Sequence, residues 1–247
     1  MKRYFLELAY DGTAYHGWQV QNNAHSVQAE INTALQTLLN DKELNVTGCG
    51  RTDAGVHASQ FYLHFDAEME IEDADNFVYR LNQILPKDIV IYRCVRVHAE
   101  AHARFDATSR TYQYHIIQRK NPFNQKFAAL FTQDLDVTKM HNVAQQLFGH
   151  KDFTSFSKLH SDAHTNNCKI FHASWKQMED EIVFEIKADR FLRNMVRAIV
   201  GTCIEVGKGR MEKEAFVQVI EAKDRQEAGH SVPAKGLFLM RIEYDYL

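Results

Sequence analysis

Residues 4–10 alternate in polarity, with Tyr4, Leu6, Leu8 and Tyr10 on one face, which is the two-residue period of a strand. The period then lengthens. Ser26 is placed to cap a helix whose apolar positions are Val27, Ile31, Leu35, Leu38 and Leu39. Residues 44–49 read as a strand, and residues 60–65 as another, with Phe61, Leu63 and Phe65 alternating. A second helix carries Phe77, Leu81, Ile84 and Leu85 until Pro86 stops it. Residues 89–97 are apolar and β-branched, hence a strand. The predicted order is β-α-β-β-α-β.

The second half repeats that order without repeating the residues. Residues 110–118 are strand-like. Met140, Val143, Ala144, Leu147 and Phe148 form a helical stripe that Gly149 can cap. Residues 169–178 and 182–188 read as strands across a turn at Glu179 and Asp180. Residues 191–206 read as a helix, Glu212 and Glu214 open a shorter one, and residues 237–246 close as a strand. The fold class is therefore α/β in the α+β sense: two ferredoxin-like halves, 1–105 and 106–247, with a mixed, largely antiparallel sheet and helices on one side. Such sheets often present a face to RNA, but element order does not fix function.

Composition narrows the class. A chain of 247 residues with only three prolines and no low-complexity tract can bury a real core. No apolar run is long enough to span a bilayer, and the chain enters a strand pattern directly from Met1, so a cytoplasmic protein without a leader is expected. The four cysteines, Cys49, Cys94, Cys168 and Cys203, are scattered with no C-x-x-C pair, which indicates neither a disulfide framework nor a thiolate zinc site. His98 and His102 stand four apart, but no third ligand follows in register, so no metal is expected. The net charge of −3 weighs against a nucleic-acid partner. Its distribution softens that: Arg93, Arg96, Arg104, Arg110, Arg119 and Lys120 crowd mid-chain, where clustered cations can line a groove.

The stretch from Gly48 through Gly50, Arg51, Thr52, Asp53, Ala54, Gly55, Val56 and His57 to Ala58 carries the chemistry. It sets one carboxylate and one guanidinium among glycines between two strands. Glycine permits close approach that a Cβ would block. On spacing alone the stretch also fits a surface turn in which Asp53 accepts backbone hydrogen bonds. Asp11, in Tyr-Asp-Gly-Thr, is the competing carboxylate and reads as a turn after the first strand. Arg51 lies two residues from Asp53. Arg197 lies with Arg190, Arg193 and Asn194 near one helix face, either as a solvated stripe or against a close-packed element, since Gly201 follows one turn on. Tyr112 and Tyr114 alternate onto one face of a strand, where one can be core and the other a stacking platform.

GRTDAGVHA resembles the signature of the tRNA pseudouridine synthase A family. Resemblances also run in order along the chain: Tyr10-Asp11-Gly12-Thr13, Gly17-Trp18-Gln19, Ser26-Val27-Gln28, Leu81-Asn82-Gln83-Ile84-Leu85-Pro86, His102-Ala103-Arg104-Phe105, Arg110-Thr111-Tyr112-Gln113-Tyr114, Asp152-Phe153-Thr154-Ser155-Phe156, Met195-Val196-Arg197 and Gly236-Leu237. The resemblance implies two related α/β halves with an RNA-binding cleft between them. It implies isomerisation of uridine to pseudouridine at positions 38, 39 and 40 of the tRNA anticodon arm by a homodimer, with no cofactor and no metal. Residue by residue, it makes Asp53 the catalytic nucleophile or base, with Arg197 as its ionic partner. Arg51 becomes the side chain that enters the stem and helps turn the nucleotide out. Tyr112 becomes the residue that stacks on the target base, and Leu237 an apolar wall of the pocket. A uridine inside a stem must leave the stack before a carboxylate can reach C1′, so an aromatic, an arginine wedge and a basic lining are expected together.

Residues 160–170 depart from the pattern, with Asn167-Cys168-Lys169 where many relatives carry Thr-Arg; this bears on RNA contacts and not on the chemistry. Two rivals are separable. A non-catalytic RNA-binding protein of the same fold would not need a carboxylate facing phosphates. A metal hydrolase using the histidines would lose activity in chelator.

Overall fold

The computed structural model describes residues 1–158 and 165–247. The departing segment therefore lies partly outside the described residues, at 160–164. Among the described residues the chain forms helices and nine strands, paired almost entirely antiparallel. It divides into two compact units, one of residues 1–108 and 239–247, the other of residues 109–238.

The first unit runs β1 (Lys2–Tyr10), α1 (Val27–Leu39), β2 (Thr47–Gly48), β3 (His57–Ala67), α2 (Ala74–Ile84) and β4 (Ile89–Arg96), the order read from the hydrophobic periods. β1 is central, antiparallel to both β3 and β4, with Leu6 opposite Leu63 and Cys94. Ser26 caps α1 by accepting from the Ala29 amide at 3.4 Å, and Val27, Ile31 and Leu35 are buried. Asp73 caps α2 in the same way at 2.9 Å, and α2 stacks Phe77 on Phe65 at 6.2 Å. Leu85, before Pro86, is extended, which ends the helix. The expected strand at 44–49 shrinks to two residues. The amide side chains of α1 take the backbone of 44–46 instead: Gln36 donates to Leu44 O at 2.8 Å, Gln28 donates to Val46 O at 2.8 Å, and Asn32 accepts from Val46 N at 3.0 Å.

The other face of this sheet is aromatic. Phe5 lies edge-on to Tyr244 at 5.5 Å and to Tyr246 at 6.1 Å, and Tyr62 is edge-on to Tyr244 at 5.3 Å. Tyr244 donates to Ala103 O at 2.5 Å. His64 is buried here, and its Nδ1 accepts from Ala103 N at 3.1 Å, which requires that nitrogen to be bare. Burial, then the Arg3 guanidinium and the neighbouring His102 ring, push its pKa down to about 4. A folded-state value below the unfolded one gives stability that is present above about pH 6.5 and lost as pH falls towards 4. His64→Asn keeps an acceptor near the Nδ1 position and removes the titration. Chemical unfolding at pH 7 and pH 4.5 should show wild type losing about 2 kcal/mol more than the variant between the two. Equal losses would show that His64 is not held neutral.

The second unit runs β5 (Ser109–Ile117), β6 (Ala129–Leu130), α3 (Val137–Ala144), β7 (Ile170–Gln177), β8 (Ile182–Ala188), α4 (Met195–Gly207) and α5 (Lys213–Ala222). β8 is central between β5 and β7, both antiparallel, and β6 pairs parallel to β5. α3 continues as a 3-10 turn, 145–149. The closing strand is β9 (Leu237–Glu243), whose residues from Leu239 on belong to the first unit. α4 is buried along its length and starts later than the periodicity predicts. Residues 189–194 form a turn in which Asp189 Oδ1 accepts from the amides of Lys169 and Arg190, both at 2.7 Å. Asn194 at φ 68° then opens the helix. Arg190 and Arg193 consequently precede the helix and do not share a face with Arg197. All four cysteines are free and buried, and burial pushes Cys94, Cys168 and Cys203 up to about 12.

Candidate active site

The loop 49–56 joins β2 to β3 and is fixed from outside by the segment that follows β1. Cys49 N donates to Tyr62 O at 2.8 Å, and Val56 N donates to Asp53 O at 3.1 Å, which closes a turn around Ala54 and Gly55. Gly55, at φ 77°, needs the left-handed region that glycine enters without cost. Trp18 N donates to Thr52 O, Gly55 N donates to Tyr15 O at 3.2 Å, and the Tyr10 hydroxyl meets Thr52 Oγ1 at 2.9 Å. Trp18 itself is buried and stacks on Phe61 at 4.1 Å.

The approach is close enough to exclude a methyl group. A Cβ on Gly17, itself at φ 94°, would stand 2.3 Å from Thr52 O and 3.2 Å from the carbonyl carbon of Asp53. Asp53 is half-buried in this cradle and Arg51, two residues before it, is exposed. The residues that hold the loop, Gly17, Trp18 and Thr52, are not among the site residues expected from the sequence. Gly17-Trp18 is nonetheless one of the ordered motifs, and a glycine there permits the close approach to the Thr52 carbonyl.

Asp11, the competing carboxylate, has its oxygen engaged. It caps the 3-10 turn 12–14, accepting from Thr13 N at 2.9 Å and Thr13 Oγ1 at 2.5 Å, and lies 3.1 Å from Nδ1 of buried His57. Burial raises its pKa, but the Thr13 bonds and the His57 imidazole outweigh burial and hold it below the usual carboxylate range. It is the turn residue that its sequence setting suggests.

In the second unit Tyr112 and Tyr114 divide their work. Tyr114 is fully buried, with its hydroxyl donating to Pro233 O at 2.8 Å, and it is the core member of the pair. Tyr112, half-buried opposite Ile186, meets Phe191 edge-on at 5.1 Å. Arg197 sits in the first turn of α4, where its Nε donates to Val232 O at 2.8 Å and its own carbonyl accepts from Val232 N at 3.2 Å. The segment 229–237 thus binds Arg197 and Tyr114 together and ends in buried Leu237. Gly201 makes room for it: a Cβ there would stand 1.9 Å from His230 O. Arg51 and Asp53 thus share one loop of the first unit, while Tyr112, Arg197 and Leu237 all belong to the second, the last two joined by the segment 229–237. Among the described residues no group of three or more His, Cys, Asp or Glu is arranged to hold a metal ion.

Similarity to known proteins covers this whole arrangement. A family model for tRNA pseudouridine synthase matches residues 143–245. The chain is 54% identical to tRNA pseudouridine synthase A of Bacteroides fragilis over 99% of its length and 97% of the relative's. It is 48% identical to the protein of that name from Porphyromonas gingivalis, over 99% of this chain and 98% of that one. It is 40% identical to the one from an Exiguobacterium species, over 99% of each.

Proposed function

The chain belongs to the tRNA pseudouridine synthase A family, and we propose that it isomerises uridines 38, 39 and 40 of the tRNA anticodon arm to pseudouridine, with Asp53 as the catalytic carboxylate. The observation that carries the reading is full-length likeness combined with a loop built to hold one aspartate still. In the reaction the N1–C1′ bond breaks and the C5–C1′ bond forms. C5 gives its hydrogen to water and N1 gains a proton, so atoms balance without any co-reactant.

Each remaining residue takes one task. Asp53 must be ionised and shielded from water to attack carbon or remove a proton. Arg197, anchored through Nε to Val232 O, keeps an aspartate charged by pairing with it. Tyr112, braced edge-on by Phe191, stacks on the extruded uracil, and Leu237 closes an apolar wall beside it. Arg51, exposed on the Asp53 loop, fills the space that the nucleotide leaves in the stem. Stacking and phosphate contacts offset the few kcal/mol lost on extrusion. The working form is a homodimer gripping one tRNA in the cytoplasm.

The test uses undermodified tRNA carrying tritium at uridine C5. Wild type should release label as water, to a limit set by the uridines at 38 to 40, with pseudouridine mapped to those positions. No release, or product elsewhere in the tRNA, would remove this assignment.

A further inference from the structure

Phe105 leaves its ring 74% exposed, although a phenyl side chain gains by leaving water. The loop that presents it is rigidly made. His102 Nδ1 accepts from the amides of both Arg104, at 3.1 Å, and Phe105, at 3.3 Å. His102 N donates to Asp106 Oδ2 at 2.7 Å, Asp106 N returns to His102 O at 3.1 Å, and the Tyr246 hydroxyl donates to the same Asp106 oxygen at 2.8 Å. The phenyl ring is backed by the His102 ring at 4.3 Å, which rests on buried His64 at 4.7 Å. The Arg104 guanidinium stands 5.5 Å from the phenyl centroid. A ring held in water by five hydrogen bonds, braced from behind and accompanied by a cation, has the make-up of a single-stranded nucleic-acid contact. Bases stack on aromatic faces, and the charge suits the backbone.

We propose that Phe105 is a stacking platform for an unpaired base of the tRNA, outside the pocket that takes the target uridine. This rests on the tRNA reading of the active site. The ring contributes affinity and placement and takes no part in the chemistry.

Three variants of the full chain test it, with dissociation constants for unmodified tRNA measured by filter binding. Phe105→Leu keeps apolar bulk and removes the π face, so affinity should fall about ten- to a hundred-fold, the range of one lost base stack. Phe105→Trp should bind within about threefold of wild type, and its exposed indole should be quenched on saturation, which buried Trp18 and Trp175 will not mimic. Phe105→Ala should match the leucine variant. Wild-type affinity in the leucine variant, or an unquenched indole, overturns the platform. A changed sedimentation mass in Phe105→Leu would place the ring at a subunit contact and also overturn it. The two readings fail separately: loss of tRNA affinity in a protein that releases no tritium would retain the platform and remove the isomerase, and tritium release with unaltered affinity would do the reverse.

Discussion

Asp53→Asn is expected to abolish turnover while leaving tRNA binding intact. The substitution is isosteric. The backbone bonds that hold the loop, to Asp53 O and the neighbouring Thr52 O, are left in place by the substitution, and circular dichroism and a thermal melt check that the variant is folded. What it lacks is an ionised oxygen able to attack carbon or take a proton, and an amide supplies neither. Removing such a group from other enzymes costs on the order of 10⁴-fold or more in kcat. Affinity should be unchanged or slightly tighter, because one negative charge leaves a surface that must meet phosphates. Arg197→Ala is the companion measurement. It should slow single turnover less than Asp53→Asn does, since it misplaces a carboxylate that is still present. Residual tritium release by Asp53→Asn within tenfold of wild type would end the catalytic assignment, and a wild-type single-turnover rate in Arg197→Ala would end the pairing role.

Gly17→Ala should damage catalysis from outside the catalytic loop. The new methyl would meet Thr52 O at 2.3 Å, and the residue already sits at φ 94°, where an L side chain is strained. Neither obstacle can be relieved by a rotamer change, because the atom in the way is backbone. The Thr52–Asp53 peptide must therefore move. Displacing a reacting group by about 1 Å is enough to cost on the order of 10²-fold. We expect kcat to fall by about that factor, tRNA affinity to stay within a few-fold, and the thermal midpoint to drop by several degrees. Gly50→Ala is the control, since a Cβ there meets nothing within 4 Å; its thermal midpoint should equal wild type. If Gly17→Ala turns over like wild type, the cradle is not what positions Asp53.

Much of the fold was legible because local period and burial agree. The alternation of Tyr4, Leu6 and Leu8 is buried on one face of β1, and Ser26 and Pro86 begin and end their helices as their chemistry requires. Gly201 reads as a close approach in the sequence, and His230 O is the atom that approaches it. The errors fall where side chains replace backbone partners. At 44–46 the amides of Gln28, Asn32 and Gln36 occupy groups a strand would have used, a long-range choice that no local period records. At 189–194 a single aspartate oxygen collects two amides and postpones α4, so three basic residues that looked like one stripe do not form one. The candidate site was visible as residue types in motifs. Its support was legible only as the Gly17-Trp18 motif, and what that motif braces is fixed by the long-range bond from Trp18 N to Thr52 O.

The first unit needs residues from both extremities of the chain. Phe5 and Tyr62 are covered by Tyr244 and Tyr246, and Ile242 N donates to Gln60 Oε1 at 3.0 Å. On the ribosome this aromatic face is made early and capped only after the second unit has been synthesised. A nascent chain carrying only the first 108 residues would display those rings to solvent, and the unit that holds Asp53 would finish folding only when translation has delivered residues 239–247.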